Sequence, residues 1–507
     1  MSQFNISKVI IFLLLSLIFY FHTSQLVSQH WSGVLDQDLT IIYNSLLLSS
    51  GIDQEYRDHP AFTTFLIHSF FYNIISIFLN VPTDIDQILD ASNLEDLLQI
   101  YFYISRFVNL IINLCLLFSL SKILKKLNID KNIQNLLIII YILSIGYLSS
   151  FFLIRSEVLS LLIFSISVNF ILSTNKNIIS NCLISGFFFL FSMLAKIQIL
   201  FLLLYIFFLI FKITSSKKII LSNSNFINYY FYFSLFIGIL GYSYFQLHIQ
   251  DFPRFSLNNF IDLIFFSSLF FLFFVTSFFV KKVKENILLL SCFFNGFIIG
   301  IILILIFDQL KIINFNEIIL LRLTNPIHYM IEFTGTFANQ GINLNYISNI
   351  LGKLFSSYKF NFLELILVLI VACLNFKKNK LIFGLLLIFI INSLIVNYRY
   401  VPVYQIYYLF LYIVIIAEAV KGLNLKKGLT ISIIALIIST SNSLKYFIYD
   451  NNLTNILDRD VGIKKVCDEI NFNVKSDTYE NVDYMKYWHK KFDDNTLEKI
   501  CNNYDKS

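Results

Sequence analysis

IISNCLISGFFFLFSMLAKIQILFLLLYIFFLIFK, residues 178–212, is two apolar runs (178–195 and 197–212) separated by one lysine, Lys196, and closed by another, Lys212. An α-helix rises about 1.5 Å per residue, so runs of this length cross most or all of a hydrocarbon layer about 30 Å thick. The two runs are consecutive membrane spans, with Lys196 in a tight turn at one face and Lys212 at the other. The rest of the chain repeats this alternation. Hydrophobic residues make up 57% of it against 14% charged, with 57 phenylalanines and a mean hydropathy of +0.72. That composition predicts an all-α, polytopic integral membrane protein and excludes a large water-soluble core.

The net charge of +6 does not point to nucleic acid, because the lysines fall in short clusters between apolar runs. This is the positive-inside pattern. Lys8 precedes the first run and places the N-terminus in the cytoplasm. Lys122, Lys125, Lys126 and Lys131, then Lys176, then Lys212, Lys217 and Lys218, then Lys281, Lys282 and Lys284, then Lys377, Lys378 and Lys380, and lastly Lys421, Lys426 and Lys427 each mark a cytoplasmic turn. About 13 spans satisfy this scheme: 9–27, 101–121, 134–154, 157–174, 178–195, 197–212, 226–248, 260–280, 287–307, 361–376, 381–396, 402–420 and 429–447. Residues 61–79 are apolar enough for another, but counting it would move every later lysine cluster outside. Parity therefore predicts an interfacial helix or re-entrant pair on the outer face. The first external loop then runs over residues 28–100, within a transmembrane unit of residues 1–448, and residues 449–507 form a small external cap.

Polar residues are distributed unequally between the faces. All seven arginines (Arg57, Arg106, Arg155, Arg254, Arg322, Arg399 and Arg459) fall in external loops or at outer span ends, while the cytoplasmic turns use lysine alone. Charge near membrane depth is costly and marks function more often than not. Asp36 and Asp38, in Asp36-Gln37-Asp38-Leu39 just after the first span, are the leading candidates for chemistry; as plain loop acids they would instead cap the helix starting near Leu39. Four of the six cysteines lie inside spans. Cys467 and Cys501 share the external cap, where an oxidising compartment allows a disulfide. No GxxxxGK[ST], GxGxxG, CxxC or HExxH pattern is present, so energy must come from an activated membrane-soluble donor or an ion gradient.

The order Asp36-Gln37-Asp38, Tyr43-Asn44-Ser45-Leu46, Ser50-Gly51 and Asp58-His59-Pro60, followed by Arg155-Ser156-Glu157, Ala195-Lys196 and Tyr398-Arg399-Tyr400 on the same side, resembles the GT-C membrane glycosyltransferases. The nearest resemblance is to family 39, the protein mannosyltransferase and lipid A aminoarabinose transferase group. It covers residues 9–215 well and the remainder in layout. Asp36-Gln37 stands where the family has an Asp-Glu pair, and His59-Pro60 where it has Lys-Pro-Pro.

The resemblance implies an inverting transfer of a hexosyl or pentosyl group from a polyprenyl-phosphate donor to a lipid, glycan or protein acceptor. The reaction would take place on the external leaflet of a bacterial inner (plasma) membrane, as one step of cell-envelope assembly. Asp36, or else Asp38, would be the catalytic base that takes the acceptor proton. Arg155, Lys196 and Arg399 would bind the donor phosphate, where arginine can meet two oxygens at once. Asp58, His59 and Glu157 would bind substrate hydroxyls. No metal ligand set is legible and no cofactor is expected, although some members of the group use a divalent ion. A transporter or flippase, or an O-antigen ligase or polymerase-like protein, is the alternative.

Overall fold

The computed structural model describes residues 6–28, 31, 38–52, 54–55, 61–173, 178–216, 283–309, 362–375, 381–398, 405–421, 423–449, 467, 470, 486 and 489–504. Every regular element among them is helical. In chain order they are α1 (Ile6–Ser28), α2 (Thr40–Ser49), α3 (Phe62–Leu79), α4 (Ile85–Asp90), α5 (Leu94–Lys126), α6 (Lys131–Ile142), α7 (Ile145–Phe152), α8 (Ser156–Ile171) and α9 (Ile178–Ala195). A 3-10 turn (Ile197–Leu202) leads into α10 (Leu203–Ser216), followed by α11 (Val283–Gln309), α12 (Phe362–Asn375), α13 (Leu381–Tyr398), α14 (Gln405–Val420), α15 (Leu425–Tyr449) and α16 (Asp494–Tyr504).

Six of these helices are long and apolar enough to cross a membrane, or seven when the bent pair α6 and α7 is taken as one span. Shorter apolar helices, among them α8, α12 and α14, pack beside them. Large apolar side chains are exposed on the outward faces, including Phe107, Leu114 and Phe118 of α5 and Ile433, Ile437 and Leu444 of α15. Water would not tolerate such stripes, so the chain is a helical membrane protein whose outer face contacts lipid. The predicted spans 226–248 and 260–280 lie outside the described residues.

Helices are held together by small polar side chains as well as by packing, as suits a bilayer that offers no hydrophobic drive for association. Ser165 donates to Ser119 at 2.6 Å and Asn169 donates to the Ser119 carbonyl at 3.0 Å, joining α8 to α5. Ser160 donates to the Ser192 carbonyl at 2.9 Å and Ser192 returns the bond at 2.7 Å, joining α8 to α9. These pairings make α5 and α8 parallel and α9 antiparallel to both. Lys122, Lys125, Lys126 and Lys131 therefore share one end of the bundle, and Arg106, Arg155 and Lys196 occupy the other.

Two spans depart from the expected outlines. Residues 134–154 do not form a straight helix; α6 and α7 bend by 60° at Leu143–Ser144, where Ser144 caps α7 by accepting from the Tyr147 amide at 3.3 Å. Gly146 permits the bend, since a Cβ there would lie 2.5 Å from the Ile406 nitrogen of α14. The 101–121 span belongs to a 33-residue helix, α5, that continues outward to Leu94 and takes in part of the first loop.

Helix α3 is long and apolar enough to cross a membrane, and hydrogen bonds tie it to α9 and α5. At its start Thr63 donates to the Phe191 carbonyl at 2.9 Å, one turn before α9 ends. Tyr72 bonds Ser105, and just beyond the left-handed Asn80 that closes α3, the Pro82 carbonyl accepts from Tyr101. Phe70, Ile74, Ile77 and Phe78 form its exposed stripe.

Candidate functional site

The chain between α7 and α8, residues 153–155, is extended and buried, and its polar groups need partners within the protein. Asn109 of α5 donates to the Ser150 and Leu153 carbonyls at 3.1 and 2.9 Å. Asp38 accepts from the Ile154 amide at 2.8 Å through one oxygen and from Arg106 at 2.5 Å through the other. Both carboxylate oxygens are thus engaged, and Asp38 and Arg106 are buried. Asp38 does not cap α2: the cap position is Leu39, with no side-chain cap bond. Arg106 also lies over the Phe102 ring, 5.0 Å from its centre.

One residue further on, the break presents its charges. Arg155, with an extended backbone, grips Glu157 with two parallel bonds of 3.1 and 3.0 Å. Lys196, extended where α9 gives way to the 3-10 turn, reaches the same carboxylate at 3.3 Å. Glu157 is 0% exposed, Arg155 7% and Lys196 6%. Its position in the first turn of α8 suits a carboxylate, because the helix dipole is positive there. Glu157 is therefore the anchor of two cations. The five buried side chains Asp38, Arg106, Arg155, Glu157 and Lys196 carry three positive and two negative charges, a net +1.

Of the residues singled out from the sequence, the fold brings Asp38, Arg155, Glu157 and Lys196 together from three separate segments. Asp36, Asp58, His59 and Arg399 lie outside the described residues. Tyr43 and Asn44 have structural work: Tyr43 donates to Glu55 at 2.9 Å and Asn44 accepts from the Glu55 amide at 2.9 Å, which folds the chain after α2 back on it. Burial pushes the Tyr43 phenol up, so it remains a donor.

No family model matches this chain, and neither does any curated protein or solved structure.

Two features escaped the sequence reading. Asn109 is one of several asparagines in apolar runs; its place three residues after Arg106, on the same helix face, was the available signal. Glu364, a lone acid inside a predicted span, is buried in a small cleft with Ser144, Gly146, Gln405, Tyr408, Ser439, Asn442 and Ser443. The N-termini of α7, α12 and α14 converge on it, so three positive helix ends face one carboxylate. Among the described residues no group of three or more His, Cys, Asp or Glu side chains gathers as a metal site.

Proposed function

We propose that the chain is a GT-C-type membrane glycosyltransferase that takes a sugar from a polyprenyl-phosphate donor on the external leaflet and passes it, with inversion, to a lipid, glycan or protein acceptor. The observation that carries this reading is the buried cation cluster at the end of the bundle opposite the lysine turns. A phosphate leaving group gains charge as the glycosidic bond breaks. Preorganised cations in a site shielded from water stabilise that charge far more than they would in solution. Arg155 and Lys196, held by Glu157 with one positive charge in excess, suit a phosphate at headgroup depth.

Asp38, engaged at both oxygens, leaves the role of base to Asp36, two residues before it in the sequence. Asp36 would take the acceptor hydroxyl proton while the anomeric carbon passes to that oxygen and the polyprenyl phosphate leaves. Positive-inside reasoning puts this end of the bundle outside the cytoplasm of a bacterial cell.

The test uses membranes from a host without related enzymes, supplied with radiolabelled polyprenyl-phosphate sugars. Asp36→Asn is expected to lose about 10²–10⁴ in transfer, the range for a general base. Arg155→Ala and Lys196→Ala are each expected to lose about 10²–10³, as for other transition-state charge donors. Wild-type membranes that transfer nothing from any donor would sink the proposal.

One feature favours a second reading, a transporter or flippase: the α6–α7 break beside Glu364 is the kind of discontinuous helix on which transporters build their sites. Proteoliposomes loaded with the same donors distinguish the two, since a flippase moves the lipid across the bilayer with its sugar still attached.

A further inference from the structure

The C-terminal tail grips the first external loop through contacts that the transfer chemistry does not use. α16 is tied covalently to the preceding tail by the Cys467–Cys501 disulfide, and Asp493 caps it by accepting from the Thr496 amide at 2.8 Å. From α16, Lys499 donates to the carbonyls of Leu89, Asp90 and Ala91, closing the C-terminus of α4. Just before α16, His489 is buried with its Nε2 3.4 Å from Thr40 Oγ1 and its ring edge-on to Tyr43 at 5.0 Å. The Lys490 amide donates to Glu55 at 2.7 Å and the Lys491 amide to the Tyr43 hydroxyl at 3.0 Å, while Lys491 Nζ pairs with Asp86.

Several of these contacts fall on α2. α2 has ten residues and no capping side chain at its start, and a helix so short is marginal without tertiary support. Asp38 stands just ahead of the cap residue Leu39, so whatever fixes the start of α2 bears on the placement of Asp38. We propose that the disulfide-closed tail is a clamp on α2 and that His489 and Lys491 are positioning residues for Asp38, the acid that holds Arg106 and the Ile154 amide. This rests on the reading that the charge cluster Asp38 helps to build serves the transfer reaction.

The test compares full-length wild type, His489→Ala, His489→Gln and Cys467→Ser/Cys501→Ser in lipid nanodiscs, by hydrogen exchange and by transfer kinetics. Exchange at the amides of residues 40–49 is expected to rise about tenfold or more in His489→Ala and in the double serine variant, as local opening becomes easier. The amides of α9 should hold. His489→Gln, whose amide can still meet Thr40, should restore protection. Transfer kcat should fall by up to about 10²-fold in His489→Ala, the scale of an ångström-level misplacement. Donor KM and the binding of undecaprenyl phosphate, which reports on Arg155 and Lys196, should not change.

Unchanged exchange at residues 40–49 in both variants overturns the clamp. Raised exchange with an altered donor KM and an intact kcat overturns the positioning role. A wild type inert with every donor shows itself without any variant and defeats the functional reading alone; the exchange result still decides whether the tail holds α2.

Discussion

Asp38→Ala is expected to destabilise the protein by about 3–5 kcal/mol, the cost of leaving a buried arginine without its partner. The loss has two parts: Arg106 keeps its charge in a buried site, and the Ile154 amide, which bonds the same carboxylate at 2.8 Å, loses its acceptor. Asp38→Asn should fall between, because an amide oxygen can still accept from Ile154 but offers no charge to Arg106. The informative variant is the double one, Asp38→Leu with Arg106→Leu. Removing both charges costs no unpaired ion, so the double variant should be more stable than either single alanine variant. Thermal unfolding in a fixed detergent measures all four. An Asp38→Ala protein within about 1 kcal/mol of wild type, the range for an exposed ion pair, would show that the pair is solvated and that the cluster is not the dry site the proposed chemistry requires.

Several of the clustered charges could be picked out from the sequence, but the contacts among them could not. Arg155 and Lys196 stood out because each is a charge in a turn of one or two residues between apolar runs. Asp38 stood out as an acid after the first span, yet its role, closing the extended stretch at Ile154, depends on a contact 116 residues away. Nothing local encodes that. The same limit hides the bend at Ser144, since an apolar run containing three serines and one glycine reads as a straight span until α14 is seen to lie against Gly146. At residues 61–79 two signals in the sequence disagree: hydropathy calls them a span, which suits the length and apolarity of α3, while the lysine clusters count parity against it, and the bonds at Thr63 and Pro82 show that α3 packs on α9 and α5. The grip of the tail on Thr40, Tyr43 and Glu55 spans more than 400 residues and leaves no periodic signature in either segment.

Gly186→Val and Gly296→Val are expected to be as damaging as any single change in the bundle, by about 3 kcal/mol or more, at or beyond the upper end of overpacking costs. α9 and α11 cross backbone against backbone. A Cβ on Gly186 would sit 1.7 Å from the Phe293 carbonyl oxygen, and one on Gly296 would sit 1.7 Å from that of Leu183. Neither obstacle is a side chain that can turn aside, so the helices must separate and lose the close packing that small residues allow in a membrane. Gly300 is the control on the same helix: its nearest neighbour is Leu190 Cδ2, at 2.6 Å, the end of a flexible side chain, and Gly300→Ala should cost far less. The consequence reaches the candidate site because α9 ends at Ala195, and the next residue, Lys196, must stay 3.3 Å from Glu157. A shift of α9 by an ångström withdraws that lysine and leaves Arg155 alone on the carboxylate. If the protein is the proposed transferase, whatever Gly296→Val protein survives extraction should show kcat reduced by about 10²-fold, although Gly296 lies on a helix that carries none of the five clustered charges. Equal thermal stability and equal transfer rates for Gly296→Val and Gly300→Ala would mean that the α9–α11 crossing yields at little cost and does not set the position of Lys196.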